Sequence, residues 1–378
     1  MTQNVVLNSN PNLNNIQGLS SLTSVGGDIQ ILNNPSLTSL QGLNSLLYVG
    51  GVLEVKGNSL LTTLPTFSSN TTRLGCSFAN NPSISNSTIQ AFMNKYKCGY
   101  IYAIGGQIST SVSTNTVERY DPISNTWSFV SPMPTIRSYV SATALGGYIY
   151  AIGGHNGAYL TTNERYDPQA NSWSTMANVP TARYLLCSVS LNGFIYSIGG
   201  NPGPISKVEQ YNPSTNSWNT GIASLQTASA SPGCGVVSGF IFVFGGYNNS
   251  GTYYSSTEKY DPSSNTWSYV ASMAAGRHNV ASFVLDGFIY AAGGYSGTSD
   301  LNRTEKYDPV SNVWTSLTNM RTVRYWLSGA VLGNSLYAVG GLTTGALNTV
   351  ENYDITTNTW SSAASLNTAR NGHTCVSF

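Results

Sequence analysis

The side chains able to do acid–base, nucleophilic or metal chemistry are few in this chain, and most of them recur at one spacing. Fifteen residues are Asp or Glu. Six glutamates stand two residues before a tyrosine, at Glu118, Glu164, Glu209, Glu258, Glu305 and Glu351. Five aspartates directly follow that tyrosine, at Asp121, Asp167, Asp261, Asp308 and Asp354, and Asn212 fills the sixth place. Only Asp28, Glu54, Asp286 and Asp300 fall outside the pattern. Arginine recurs in the same way at Arg137, Arg183, Arg277, Arg324 and Arg370, with Ser229 in the remaining place. A charged residue repeated at every period is a framework residue, so the pattern predicts Glu–Arg pairs and Asp-capped turns.

Little is left over for catalysis. General acids and bases must be set apart from the scaffold by position and environment, and glycoside hydrolysis needs two free carboxylates on one site. Two of the four spare acids lie in the first hundred residues, and His155, His278 and His373 belong to three different periods. No HExxH, CxxC, GxSxG or P-loop pattern occurs. The expectation is a non-enzyme with no catalytic residue, no metal site and no cofactor. Cys187, Cys234 and Cys375 read as buried strand thiols. Cys76 and Cys98 flank an amphipathic stretch, where they would form a staple in an oxidising compartment or two thiols in a reducing one.

The elements that must position these residues are repeats. IYAIGG or a close variant begins at residues 101, 149, 195, 241, 289 and 336, a period of 46 to 48. Each period carries four strand signals: an apolar run such as SYVSATAL, the IYAIGG run stopped by paired glycines, a Glu-x-Tyr run closed by a turn, and a short run holding Trp127, Trp173, Trp218, Trp267, Trp314 or Trp360. Four-stranded sheets repeated at this spacing pack radially around a channel. The first period lacks its leading strand, while NGHTCVSF is left over at residues 371–378. The expectation is that residues 371–378 pair with residues 99–106 and close the ring, removing the exposed edges.

Composition limits the partners. Only 8% of residues are charged and the formal net charge is +1, against roughly 25% charged in an average soluble protein. Without a basic face, nucleic acid and anionic membrane are disfavoured. No apolar run reaches the roughly 18 residues of a membrane span, so no membrane insertion is expected. The opening MTQNVVLNSNPN lacks the charged-then-apolar pattern of a signal peptide.

Paired glycines followed by the tyrosine and tryptophan runs resemble the kelch repeat over residues 99–378. The resemblance implies a six-bladed β-propeller whose partners bind at one end of the channel. Two sets of positions would lie there. The residues after the paired glycines are Gln107, His155, Asn201, Tyr247, Tyr295 and Leu342, and the residues after the repeat arginine include Ser138, Tyr139, Tyr184, Ala230, His278, Tyr325, Trp326, Asn371 and His373. The loops after the glycines differ in length and content while the frame stays constant, which is how a binding face should vary. Of these, Gln107, Tyr139, His155, Tyr184, Asn201, Tyr247, His278, Tyr295, Tyr325, Trp326 and His373 are the candidate ligand-binding residues. Aromatic rings with polar handles beside amides suit a sugar or an uncharged peptide.

Residues 10–27 and 34–51 repeat each other with a shift of 24, and Asn58 and Asn81 start weaker copies. IQIL (29–32) and LEVK (53–56) read as one short strand per copy, stacked as a solenoid. The N-P-x-L-x-x-L-x-G-L and VGG signature over residues 5–84 resembles leucine-rich repeats of the receptor L-domain type. Ile89, Phe92, Met93 and Tyr96 are spaced for an amphipathic helix over 88–97 that would cap the solenoid. The fold expectation is therefore mainly β, with a leucine-rich-repeat solenoid over 1–98 and a propeller over 99–378. The functional expectation is non-catalytic recognition or adhesion, with a protein or carbohydrate ligand on the aromatic loop face and a surface or extracellular setting favoured. The alternatives are an intracellular kelch scaffold binding a peptide, a carbohydrate-active enzyme of the oxidase or isomerase kind, and a structural component of a surface assembly.

Overall fold

The computed structural model describes residues 4–49, 52–67, 75–79, 81–85, 88–89, 92 and 99–378, the last stretch without 110, 111, 123, 169 and 334. Contacts divide the chain into two compact units, the first chiefly residues 1–100 and the second chiefly residues 101–378. Most of the cap expected over 88–97, and Cys98, lie outside the described residues, and so does the Cys76–Cys98 pairing.

In the first unit, strands Val5–Asn8, Ile29–Leu32, Val52–Lys56 and Gly75–Ala79 form one parallel sheet in chain order. Val5 lies opposite Ile29, Ile29 opposite Leu53 and Leu53 opposite Cys76, so the coils advance by 24, 24 and 23 residues. Leu37, Leu40, Leu43 and Leu46 of one copy are fully buried together with Ile29, Ile31, Leu53 and Val55. The turns are held by a ladder of buried asparagines. The backbone N–H of Asn34 donates to Asn58 Oδ1 at 3.0 Å and that of Asn58 to Asn81 Oδ1 at 3.1 Å. Each side-chain amide then donates back, Asn58 Nδ2 to the Ile31 carbonyl and Asn81 Nδ2 to that of Val55, at 2.9 and 2.8 Å. Buried backbone groups at a turn must find partners, and here the next coil supplies them.

The second unit is six four-stranded antiparallel sheets, or blades. The second blade shows the plan, with strands Ser141–Leu145, Tyr148–Ile152, Asn163–Asp167 and Ser172–Thr175 running outward in order. The first blade is assembled from both ends of the unit: Thr374–Ser377 pairs antiparallel with Ile101–Ile104, with Thr374 opposite Ile104 and Ser377 opposite Ile101. Neighbouring blades are joined by the same two bonds all the way round. The tyrosine of the third strand donates its hydroxyl to an asparagine two residues before the tryptophan, as in Tyr166–Asn171 at 2.7 Å. That asparagine also accepts a backbone N–H from the preceding blade, and the tryptophan donates its ring N–H to a carbonyl there, as in Trp173 to Ser131 at 2.9 Å. Across the closure the same roles fall to Asn125 and Trp127, which meet the N–H and the carbonyl of Ala364.

The recurrent Glu–Arg pairs form within blades. Arg137, Arg183, Arg277, Arg324 and Arg370 are fully buried and reach Glu164, Glu209, Glu305, Glu351 and Glu118 at 2.6–2.8 Å. Each guanidinium also donates to the carbonyl of the first paired glycine, for instance Arg277 to Gly293 at 2.8 Å. The ion pairs are thus tied to the glycine turn as well as to each other, which is the condition under which burying them is tolerated.

The cysteine expectation needs correction. Cys187 and Cys234, the first and second residues of the innermost strands of adjacent blades, are joined as a disulfide, with their Cα atoms 6.3 Å apart. Radial packing brings these strands together near the axis although the residues are 47 apart in sequence. Cys375 is a free buried thiol, pushed up to about 12 chiefly by that burial.

A candidate recognition face around the channel mouth

The face is built from the loop that follows each repeat arginine. With the arginine anchored by its glutamate, the next residue pairs by a backbone bridge with the residue after the paired glycines. These bridges join Ser138 to His155, Tyr184 to Asn201, Ala230 to Tyr247, His278 to Tyr295, Tyr325 to Leu342 and Asn371 to Gln107. The two sets of positions singled out in sequence therefore meet pairwise, once per blade. The bridge needs close approach. Gly154 has φ +108°, and a Cβ there would come within 2.9 Å of the Ser138 carbonyl.

The second residue after the arginine takes a left-handed backbone in every blade: Tyr139, Leu185, Ser231, Asn279, Trp326 and Gly372 have φ between 50° and 56°. For a residue other than glycine this costs about 1–2 kcal/mol. The conformation is held by bonds that run from blade to blade around the axis. The N–H of Tyr139 donates to the Gly372 carbonyl at 2.6 Å, Leu185 to Tyr139 at 3.1 Å, Ser231 to Leu185 at 2.8 Å, Asn279 to Ser231 at 3.2 Å and Gly372 to Trp326 at 2.9 Å. Below this collar the inner strands line a channel with about 200 Å³ of free volume, bounded by Ser141, Ser188, Ser282, Ser328 and Thr374 among others.

Around the collar the aromatic side chains touch in sequence. Ring centroids are 5.9 Å apart for Tyr139 and Tyr184, 5.2 Å for Tyr139 and Trp326, and 4.9 Å for Trp326 and Tyr325. The series continues at 5.5 Å from Tyr325 to Tyr295, 5.8 Å from Tyr295 to His278 and 4.6 Å from His278 to Tyr247. Asn201 links its two ends, donating from Nδ2 to the Tyr247 hydroxyl at 3.1 Å and to that of Tyr184 at 3.5 Å. His155 packs on Tyr184 at 5.4 Å, and Gln107 accepts the Tyr139 hydroxyl proton at 3.0 Å.

Ten of the eleven candidate residues thus converge on one circuit. Most are half-buried, whereas Asn201 and His278 are buried within it. His373 is different. It is 5% exposed, packs under the collar where Leu186 and Leu327 stand in other blades, and its Cε1 lies 2.8 Å from where a Cβ on Gly340 would sit. Among the described residues neither of its ring nitrogens has a hydrogen-bond partner. Sequence reasoning missed Tyr159 and Tyr253, which extend the circuit from the variable loops. Tyr159 stacks on Tyr184 at 5.3 Å with the rings 4° from parallel, and Tyr253 packs on His278 at 5.2 Å. Their sequence signal was an aromatic residue within a loop already marked as variable. The collar residues Leu185, Ser231 and Asn279 carried no signal at all.

The face is electrically quiet. Burial raises the Tyr139 hydroxyl to about 12, with Tyr184 and Tyr325 adding to the effect, and raises Tyr247 and Tyr325 as well. Burial lowers His278 to about 4, so its ring is neutral near pH 7. Asp300, bridged to Tyr295, has its carboxyl raised by desolvation. Among the described residues no three His, Cys, Asp or Glu side chains are grouped to hold a metal ion, and no helix is long and apolar enough to cross a membrane.

Six closed blades, a buried Glu–Arg frame and a variable loop face define a β-propeller of the repeat-built class. The kelch motif family matches residues 97–134 and 136–180, and the KLHDC2/KLHL20/DRC7 Kelch-repeats domain family matches residues 187–378. The chain belongs to the kelch-repeat family. Neither match extends over residues 1–96. Human Kelch-like protein 23 is 29% identical over 177 residues, covering 46% of this chain and 31% of that protein. An F-box/kelch-repeat protein of Arabidopsis thaliana is 35% identical over 89 residues, covering 24% of this chain and 23% of that one. Kelch-like ECH-associated protein 1B of Danio rerio is 35% identical over 101 residues, covering 26% and 17%. The matched segments thus span less than a third of these relatives. The solved structure of YjhT shares the fold, with a TM-score of 0.59 and 17% identity over 65% of this chain and 88% of that one.

Proposed function

We propose that the propeller is a non-catalytic protein-recognition module that takes an extended, largely uncharged peptide segment of a partner across the aromatic circuit. The observation that carries this reading is the circuit itself: half-exposed tyrosines and a tryptophan joined ring to ring around the channel mouth. Such rings supply large apolar area at low entropic cost, and their hydroxyls pair with peptide groups. The name of one relative, Kelch-like ECH-associated protein 1B, records an association, which agrees with a scaffold role. The N-terminal unit, with parallel strands advancing by 24 residues on an asparagine ladder, we read as a leucine-rich-repeat-type solenoid that adds a second surface.

A second reading, a glycan on the same face, is favoured by the parallel Tyr159–Tyr184 pair, since Tyr159 is 47% exposed and an exposed flat ring is a platform for a sugar. Selecting peptides from a displayed random library on the intact chain, followed by calorimetry with the best binder and a glycan array, tests both readings. Protein recognition predicts a selected peptide that binds at least about tenfold more weakly to Tyr184→Ala/Tyr325→Ala, with the melting temperature of that variant little changed. Peptides that bind wild type and variant alike would remove the face from the reading. Binding confined to glycans would transfer it to the second.

A further inference from the structure

Five blades hold a buried cation in the same cradle, and the fourth blade has the cradle without the cation. In the fifth blade the Arg277 guanidinium donates to the carbonyls of Gly293, Arg303 and Ala291 and to Glu305, at 2.7–3.3 Å. In the fourth blade Ser229 replaces the arginine, while the matching acceptors are all present: the carbonyls of Gly245, Ser256 and Val243, and the Glu258 carboxylate. Among the described residues the serine hydroxyl reaches only Gly245, at 3.2 Å. Between these groups lies a cavity of about 10 Å³, lined by Ser229, Val243, Gly245, Ser256 and Glu258. That is close to the space one water-sized species needs.

Glu258 is 4% exposed. It keeps the backbone bonds its counterparts have, accepting from Gln226 and Thr227 at 2.8 and 2.9 Å, and among the described residues it has no ion pair. The one lysine beside it in sequence, Lys259, lies over the Phe240 ring on the other side of the strand. A buried carboxylate in a carbonyl-lined pocket, with no positive group facing it, is strongly unfavourable unless the charge is removed or matched.

We propose that this cradle takes up a single desolvated monovalent cation of potassium or ammonium size, held between the Glu258 carboxylate, the Ser229 hydroxyl and the carbonyls of Val243, Gly245 and Ser256. The frame itself shows that the acceptor set accommodates positive charge. The volume selects an ion rather than a free guanidinium, and the neutral oxygen ligands suit a weakly hydrated one. Burial raises the Glu258 carboxyl above its ordinary range, which agrees with a group that lacks its cation.

The test is thermal unfolding of the intact chain at constant ionic strength, with potassium or ammonium chloride replacing tetramethylammonium chloride, whose cation is too large to enter. The expected result is a saturable rise of about 2–5 °C for the wild type. The rise should be absent in Ser229→Arg, which supplies the guanidinium the other five blades have, and in Glu258→Gln, which keeps the shape without the charge. Crystals grown with thallium(I) should show one strong peak between Glu258 and Gly245. A melting temperature that is the same in all three salts overturns the proposal, and so does a rise that persists in both variants or a thallium-grown crystal with no peak there. Cation-independent melting together with stability that falls as pH rises above the ordinary glutamate range would mean that Glu258 is held neutral instead.

Discussion

The Tyr139 ring lies where a side chain on Gly372 would have to go: a Cβ at position 372 would meet its Cδ1 and Cε1 at 2.7 Å. The first blade therefore contributes no collar side chain, and Tyr139 of the second blade leans across the gap to reach Trp326 of the sixth, 5.2 Å away. One missing methyl group is what lets the aromatic circuit close. Gly372→Ala should cost about 1–2 kcal/mol from its left-handed backbone alone, and the displaced Tyr139 should lose its bond to Gln107. Urea unfolding measures the first effect. Weaker binding of a selected peptide than the stability loss explains would report the second.

Arg277 and Glu305 test the frame. Arg277→Ala leaves a carboxylate that is 1% exposed without its 2.7 Å partner, so a loss of about 3–5 kcal/mol is expected in chemical denaturation. The double variant Arg277→Met/Glu305→Leu removes both charges and should lose less than the single one. A double variant as damaged as the sum of both singles would mean that the carbonyl contacts, not the charge balance, matter most.

His373 makes stability depend on pH. Burial, aided by Arg370, lowers it to about 3, against about 6.5 in an unfolded chain. The unfolded state then binds the extra proton between these values, so stability is constant above about pH 6.5 and falls on acidification towards pH 3, by about 1.4 kcal/mol per pH unit while the difference holds. His278, lowered to about 4, acts in the same direction. His373→Leu should flatten the profile of the melting temperature between pH 4 and 6.5, and should raise it at pH 7 because two unpaired nitrogens leave the core.

Closure by Thr374–Ser377 can be tested by deletion. Removing residues 371–378 strips the inner strand from the first blade and with it the bridge from Asn371 to Gln107. Calorimetry should then show a propeller transition lowered by more than 10 °C or lost, as expected when a ring is opened and an edge exposed. An unchanged transition would show that the remaining interblade bonds suffice.

Much of this protein was legible in its sequence because period and pairing are local. The 46–48-residue repeat predicts the number of blades, the alternation within each run predicts its strands, and a glutamate and arginine recurring together predict a pair. The first set of rim positions follows from the same arithmetic, since the residue after two glycines always stands at the same turn. His373 shows where this fails. Its spacing from Arg370 is that of a core leucine in other blades, but its chemical type suggested the surface.

What only the tertiary structure decided are relationships between blades. The bond from Cys187 to Cys234, the left-handed collar through Leu185, Ser231 and Asn279, and the circuit closed by Asn201 each join residues about one repeat or more apart. No spacing rule within a repeat can specify them, because they depend on how far each sheet is rotated about the axis and how near the inner strands come. The amino-acid sequence determined the blade and its count. The channel mouth was decided by packing six such blades into a closed ring, where a single glycine on one blade sets the position of a tyrosine on the next.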